Sequence, residues 1–177
     1  MSDKYIVKFL SKYCSENKIE FFIIPCSYGQ DENDYYSSDN QFEFNMLNKK
    51  NRYCSYEYIN DFDHQVATES TLGYESLFRG NRIGFFNIRK YFISKYTQEK
   101  LDCHNFLWPG NLNLEGPFWT HKKDENSMKR VLNFIFRSTE NEWKEALNTI
   151  NKENFILYDN QNTILKNLFK KVLEENF

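Results

Sequence analysis

The stretch HQVATESTLGYESLFRGNRIGFFN, residues 64–87, passes from one apolar segment through a turn and a helical pattern into another. His64–Thr68 predicts a short strand, and Glu69–Phe78 predicts a turn that leads into a helix. Gly80-Asn81 ends that helix, and Arg82–Asn87 predicts a second, buried strand. A strand, a helix and a strand in so few residues form a compact parallel crossover. The stretch therefore favours a doubly wound α/β sheet.

The residues before this crossover contain a further helix and strand. Apolar residues recur at helical intervals near the start of the chain, at Tyr5, Ile6, Phe9, Leu10 and Tyr13. Glu20–Pro25 contains the unalternating apolar run Phe-Phe-Ile-Ile, which predicts a parallel strand covered on both faces. Cys26–Asn40 is a polar loop at the end of that strand, which fits either a ligand-contacting loop or an ordinary surface loop. We also predict a short helix over Phe42–Lys49 and a weak strand over Arg52–Ser55.

The residues after the crossover predict helices. Asp124 can cap a helix whose inner face carries Met128, Val131, Leu132 and Ile135. Thr139 and Glu142 have the spacing of a capping box at the start of the next helix. Asn162–Glu175 predicts a final amphipathic helix, whereas the Pro-Gly and Gly-Pro pairs within 88–123 interrupt any periodic pattern.

These patterns predict one α/β domain over residues 1–177, with a Rossmann-like parallel sheet flanked by helices and a helical C-terminus. Residues 1–123 would form the α/β core with aromatic loops, and 124–177 the C-terminal helices. The 177 residues can bury one core but leave no room for a second complete domain of similar size. The 18% aromatic content also argues against disorder.

Charge and hydropathy exclude several classes of partner. The net charge is -2, with basic residues scattered among acidic ones, so we expect no nucleic-acid-binding face. The longest apolar run, Phe21–Pro25, is too short to span a bilayer, and the first residues lack the plan of a signal peptide, which together predict a cytoplasmic protein. His64, His104 and His121 have no ligand spacing, so no metal is expected.

The start of the predicted helix in the crossover could bind an anion. The first amides of a helix have no intrahelical acceptor, and the hydroxyls of Ser70 and Thr71 add donors beside them. Gly73 would let a ligand approach the backbone, and Glu75 could accept hydrogen bonds from sugar hydroxyls. The same spacing also fits an ordinary helix cap at Ser70, a packing contact at Gly73 and a solvated Glu75.

Three motifs carry a resemblance to a known group of proteins. Ser70-Thr71-Leu72-Gly73-Tyr74-Glu75, Gly116-Pro117-Phe118-Trp119-Thr120 and Tyr158-Asp159-Asn160-Gln161-Asn162-Thr163 are similar to motifs of bacterial surface-carbohydrate (lipopolysaccharide or capsule) biosynthesis proteins. The first motif resembles the C-terminal nucleotide-binding half of GT-B-fold glycosyltransferases. It is more remotely similar to UDP-N-acetylglucosamine 2-epimerases, in which a Ser-Gly-Gly turn precedes a glutamate by five residues.

This resemblance implies a nucleotide-sugar site. It assigns Ser70, Thr71 and Gly73 to the diphosphate and Glu75 to the ribose, with Leu72 inside the same binding segment. Arg89, after the second strand, could neutralise phosphate or form an ordinary surface ion pair. GT-B enzymes stabilise the leaving diphosphate with helix dipoles and cationic side chains, so the resemblance implies no metal and no other cofactor.

The chain departs from a complete GT-B enzyme, which has a second, acceptor-binding domain that usually carries the catalytic base. We therefore assign no catalytic residue and expect transfer to require an acceptor-binding partner subunit or a homo-oligomer. A competing hypothesis is a non-enzymatic interaction or scaffold module that uses aromatic loops around Trp108 and Trp119 as a contact surface. A small epimerase or phosphate-ester enzyme acting at the same anion site is a third hypothesis.

Overall fold

The computed structural model describes residues 2–26, 31–38, 44–51, 53–94, 97–100, 115–154 and 163–175. The helices in these residues are α1 (Ser2–Asn17), α2 (Asp31–Ser37), α3 (Cys54–Asp61), α4 (Thr71–Phe78), α5 (Glu125–Arg137), α6 (Glu140–Asn154) and α7 (Thr163–Glu175). The strands are β1 (Phe22–Ile23), β2 (Asn45–Met46), β3 (His64–Ala67), β4 (Arg82–Phe86), β5 (Glu115–Gly116) and β6 (Trp119–Thr120). A 3₁₀ turn covers Arg89–Tyr91.

The larger sheet has four strands in the order β3-β4-β6-β5. β3 pairs in parallel with β4, β4 pairs in parallel with β6, and β5 closes the edge as an antiparallel hairpin with β6. A separate pair of parallel strands joins β1 to β2. The mixed α/β class, with a parallel sheet flanked by helices, is therefore confirmed, as is the β3-α4-β4 crossover.

Alternate residues of β4 face opposite layers of helices. An added Cβ at Gly73 of α4 would meet Ile83 and Phe85, so these two side chains lie under α4. On the other face, a Cβ at Gly84 would come within 2.7 Å of Val131 of α5. Phe86 also lies on that face and contacts Phe9 of α1 edge to face at 6.1 Å. The central strand is consequently covered on both sides, which fits the uninterrupted non-polar run Ile83–Phe86.

The predicted caps form at the starts of α5 and α6. The Asp124 carboxylate accepts a hydrogen bond of 2.9 Å from the Ser127 amide. The Glu142 carboxylate accepts from the Thr139 amide at 2.7 Å, while the Thr139 hydroxyl accepts from the Glu142 amide at 3.3 Å. The capping box satisfies amides that have no acceptor within the helix. The predicted inner face of α5 is buried as well.

Two local predictions in the first third of the chain are wrong. The described part of Phe42–Lys49 contains strand β2 rather than a helix, because the Asn45 and Leu47 amides each donate to β1-side carbonyls at 3.0 Å. The described part of Arg52–Ser55, residues 53–55, does not form a strand, since α3 begins at Cys54. Pairing with a distant strand outweighed the helical spacing in the first case. The polar loop Cys26–Asn40 contains α2, and β1 is shorter than the apolar run that predicted it.

Candidate functional site

Three parallel strands end at the same edge of the larger sheet, and polar residues follow each of them. Glu69 follows β3, Arg89 follows β4, and His121 follows β6 directly. The Asn87 amide donates to the Thr120 carbonyl at 2.9 Å, which holds the ends of β4 and β6 side by side. In parallel α/β sheets this carboxyl edge is where ligands bind. We therefore treat it as the candidate site.

An ion pair bridges the ends of β3 and β4. Nη1 of Arg89 lies 3.2 Å from Oε2 of Glu69, and the side chains are 40% and 13% exposed respectively. The other carboxylate oxygen of Glu69, Oε1, is buried and has no hydrogen-bond partner in the described part of the chain. A buried carboxylate oxygen without a donor is costly, and such groups concentrate at functional sites. The half-exposed guanidinium retains further N–H donors for a ligand.

His121 is a buried imidazole at this edge. The His121 residue is 2% exposed, and this burial lowers the pKa of its imidazole below the usual value. The positive charge of Lys90 lowers the pKa further, while Glu115 and Glu69 act in the opposite direction. His121 therefore lies within the electrostatic reach of charged residues that follow two other strands. A buried titratable group with specific charged neighbours is typical of functional sites.

The predicted phosphate-binding residues open α4 at the same edge. Ser70 is the N-cap, with extended backbone angles and no hydrogen bond from its side chain to the helix amides. Its carbonyl accepts the amides of Gly73 and Tyr74 at 3.0 and 3.4 Å. The Thr71 and Leu72 amides are then the ones that helix geometry leaves for an external acceptor. Ser70 and Thr71 are exposed, and Leu72 is half-buried.

Gly73 and Glu75 occupy different environments on α4. Gly73 is buried, and a Cβ there would lie 2.6 Å from the Cβ of Ala67 in β3. The glycine thus lets α4 pack closely on the sheet, as the packing alternative in the sequence proposed. Glu75 is exposed, about one turn further along the helix. The structure brings Ser70, Thr71 and Arg89 to the carboxyl edge and adds Glu69 and His121 to them.

The Gly116–Thr120 motif covers the last residue of β5, the turn and β6 of the β5-β6 hairpin. Arg130 of α5 fastens this hairpin, since its guanidinium donates to the Gly116 carbonyl, to the Trp119 carbonyl at 3.1 Å and to the Glu115 carboxylate at 2.6 Å. Glu115 also accepts the Thr120 hydroxyl at 2.8 Å. The motif therefore has a structural role next to His121.

The proposed aromatic contact surface is not present at Trp119. Its side chain is buried in the core and packs edge to face on Phe118 at 5.2 Å. The expectation that Trp119 presents an exposed ring is wrong, because the hairpin folds back under α5. Trp108, His104 and residues 158–162 of the third motif lie outside the described residues.

The opposite, amino-terminal edge of the sheet carries an open depression of about 380 Å³ between residues 60–64 and 80–82. Arg82 lines it but has structural partners, since it donates to the Ser138 carbonyl at 2.6 Å and to the Glu140 carboxylate at 2.7 Å. His64 packs against Phe136 with ring centroids 4.5 Å apart. This depression therefore lies among residues that join α5 and α6 to the sheet.

Neither a metal site nor a membrane-spanning helix occurs in the described residues. They contain no cluster of three or more histidine, cysteine, aspartate or glutamate side chains arranged to hold a metal ion. No described helix combines the length and the hydropathy needed to cross a bilayer.

Sequence reasoning missed Glu69 and His121 as site residues. Glu69 lies inside the quoted crossover, two residues past β3, so its position at the sheet edge was available as a signal. His121 follows a strand of only two residues, and the sequence around it contains no periodic pattern.

Comparison with known proteins identifies a family. A family model described as "putative O-antigen biosynthesis protein" matches residues 1–173. No curated protein and no solved structure matches the chain. The match confirms the surface-carbohydrate part of the resemblance. The likeness to a GT-B half remains a prediction.

Proposed function

Since the chain belongs to the family described as "putative O-antigen biosynthesis protein", whose model matches residues 1–173, we propose that it binds a nucleotide diphosphate sugar for O-antigen assembly. The observation that carries the proposal is the convergence at one sheet edge of the α4 amino terminus, the Glu69–Arg89 ion pair and His121. This edge is where α/β sheets bind nucleotides. Activated sugars for polysaccharide assembly are anionic, and this edge presents donors and cationic charge.

The diphosphate would lie at the start of α4. The amides of Thr71 and Leu72 and the positive end of the helix dipole favour an anion there. The hydroxyls of Ser70 and Thr71 are exposed and can donate to phosphate oxygens. Arg89 donates one hydrogen bond to Glu69 and is half-exposed, so its remaining N–H groups can bind a phosphate oxygen.

The ribose of the nucleotide would meet Glu75, while Glu69 acts through Arg89. Glu75 is exposed and, in the proposal, accepts hydrogen bonds from the ribose hydroxyls. Glu69 orients Arg89 through the ion pair at 3.2 Å and so sets where its free N–H groups point. These are binding and positioning roles. The proposal places the acceptor and the transfer step with a partner subunit or a second copy.

Calorimetric titration with UDP, GDP, CMP and their sugars tests this site. We expect one nucleotide family to bind and Arg89→Ala to weaken that binding by about tenfold to a hundredfold, the range for a lost charge-assisted hydrogen bond. Ser70→Ala and Glu75→Ala should weaken it less, because each removes a neutral or solvent-exposed contact.

Arg79→Ala is the matched control, since Arg79 follows α4 at its far end and lies over the Tyr56 ring at 5.7 Å. Removing this arginine changes the net charge by the same amount and should leave the affinity unchanged. Equal losses of nucleotide affinity for Arg79→Ala and Arg89→Ala would mean that the effect comes from net charge and not from a contact made by Arg89. Absence of binding by every nucleotide at millimolar concentration would overturn the proposed function.

A further inference from the structure

Helix α7 presents an exposed apolar strip beside a row of charges. Phe169 and Leu173, one turn apart, are 61% and 58% exposed. Lys166, Lys170 and Glu174 form the neighbouring row, and the two rows border one open groove of about 550 Å³. Residues four apart lie on the same face of a helix, so the rows form adjacent ridges of the kind that pack into a second helix. Large apolar side chains in such a strip are costly in water.

The order of charges along α7 opposes its own dipole. Its first turn has no acidic residue and its last turn has no basic residue. Instead Lys166 lies near the positive amino end, and Glu174 lies near the negative carboxyl end. Helices ordinarily carry the reverse arrangement, because acidic side chains stabilise the amino end and basic side chains the carboxyl end. The isolated helix is therefore electrostatically mismatched along its length.

An antiparallel copy of the same helix corrects this mismatch. Lys166 and Glu174 are eight residues apart, about 12 Å along the helix axis, with Lys170 midway between them. A two-fold axis beside Lys170 places Lys166 of each helix at the level of Glu174 of the other. The same axis brings the two apolar strips together and sets each glutamate beside the other helix's amino end.

From this self-complementarity we infer that α7 is a homodimerisation surface, in which α7 of a second copy of the chain packs antiparallel on the groove bordered by Phe169, Leu173, Lys166, Lys170 and Glu174. Opposite charges meet at both ends of the helix pair, as an isologous interface requires. At the axis each Lys170 lies 3.8 Å from Glu174 of its own helix, and this ion pair offsets the repulsion between the two Lys170 side chains. A membrane surface fits less well, because the anionic Glu174 lies in the same row as the two lysines and would face anionic headgroups. The inference does not depend on nucleotide binding.

Charge swapping in the full-length chain tests both the partner and its direction. Sedimentation velocity over about a hundredfold range of concentration should show a monomer–dimer equilibrium, and its dissociation constant should rise with salt because charge pairs are screened. Lys166→Glu and Glu174→Lys each replace two attractions by two repulsions, so each should weaken dimerisation by about tenfold. The double variant Lys166→Glu/Glu174→Lys restores both attractions and should recover the dimer.

Two further variants separate the interface from folding of the helix. Phe169→Glu should abolish the dimer, whereas Lys171→Glu, a charge reversal on the same helix outside the groove, should leave the dissociation constant unchanged. Circular dichroism of each variant reports whether the helix content is retained.

Several outcomes would overturn the inference. A wild-type chain that stays monomeric at every concentration removes the dimer, and binding of that monomer to phosphatidylglycerol vesicles would assign α7 to a membrane surface instead. A dimer that the double variant does not restore would refute the antiparallel arrangement. Nucleotide binding is measured in a separate titration, so a negative result for dimerisation does not count against the nucleotide site, and the reverse also holds.

Discussion

Gly73→Ala is expected to destabilise the protein although alanine is the better helix former. The added Cβ would lie 2.6 Å from Cβ of Ala67, about 0.8 Å closer than the 3.4 Å at which ordinary contact begins. Neither atom can rotate away, since each is attached directly to its backbone. Helix α4 must therefore move off β3, and overpacking of this kind costs about 1–3 kcal/mol.

The gain in helix propensity partly offsets this cost. Replacing glycine by alanine inside a helix stabilises it by up to about 1 kcal/mol. The added Cβ would also lie 3.2 Å from the Phe85 ring, so the overpacking cost exceeds the gain in helix propensity. The net expectation is a loss of about 1 kcal/mol in the free energy of unfolding. Urea denaturation measures this difference directly.

A compensating substitution identifies the contact. Ala67→Gly removes the opposing methyl and by itself should cost about 0.5–1 kcal/mol. In the Gly73→Ala background it should restore stability, with a coupling energy of about 1–2 kcal/mol in the double-mutant cycle. If Gly73→Ala instead raised stability by the propensity gain and weakened nucleotide binding alone, the packing role would be refuted and the ligand-approach hypothesis for Gly73 favoured.

Three other predictions concern Arg82, His121 and Cys26. Arg82→Ala should lower the free energy of unfolding by about 2 kcal/mol, measured in urea, because it removes charge-assisted bonds to the end of α5, while Glu140→Ala should cost much less. Burial lowers the pKa of His121 in the folded state, so below the ordinary histidine pKa of about 6.5 the unfolded chain binds more protons than the folded chain. The free energy of unfolding should therefore fall as the pH drops below that value, by at most about 1.4 kcal/mol per pH unit. If the urea midpoint of His121→Gln depends on pH as strongly as that of the wild type, this prediction is contradicted. Cys26 is exposed, whereas Cys14 and Cys54 are buried and burial raises the pKa of Cys14. Peptide mapping after iodoacetamide treatment should therefore find Cys26 modified before Cys14 and Cys54, and faster labelling of Cys14 would refute its placement.

Local signals in the sequence were sufficient for the two helix caps and for the crossover. The Asp124 cap and the Thr139–Glu142 box involve residues three apart, and both formed as predicted. The crossover from His64 to Phe86 was also predicted, because its strands and its helix follow one another directly.

Contacts between distant residues could not be predicted in this way. Asn45–Met46 is a strand because it pairs with Phe22–Ile23, and no pattern within residues 42–49 encodes that partner. Likewise, Gly73 was compatible with a ligand or with a helix–sheet contact, and only the position of Ala67 distinguishes the two.

In the candidate site, too, some features follow from the local sequence and others from the tertiary structure. The amino-acid order by itself determined the parallel crossover and the start of α4 at Ser70, because backbone hydrogen bonding within a segment depends on residues close in the chain. Only the tertiary structure decided that Glu69, Arg89 and His121 meet there, since three strands separated by up to 52 positions must align in parallel before their ends share one edge. Burial then sets the pKa of His121 and leaves Glu69 with a desolvated oxygen, and burial is a property of the packed molecule rather than of any segment.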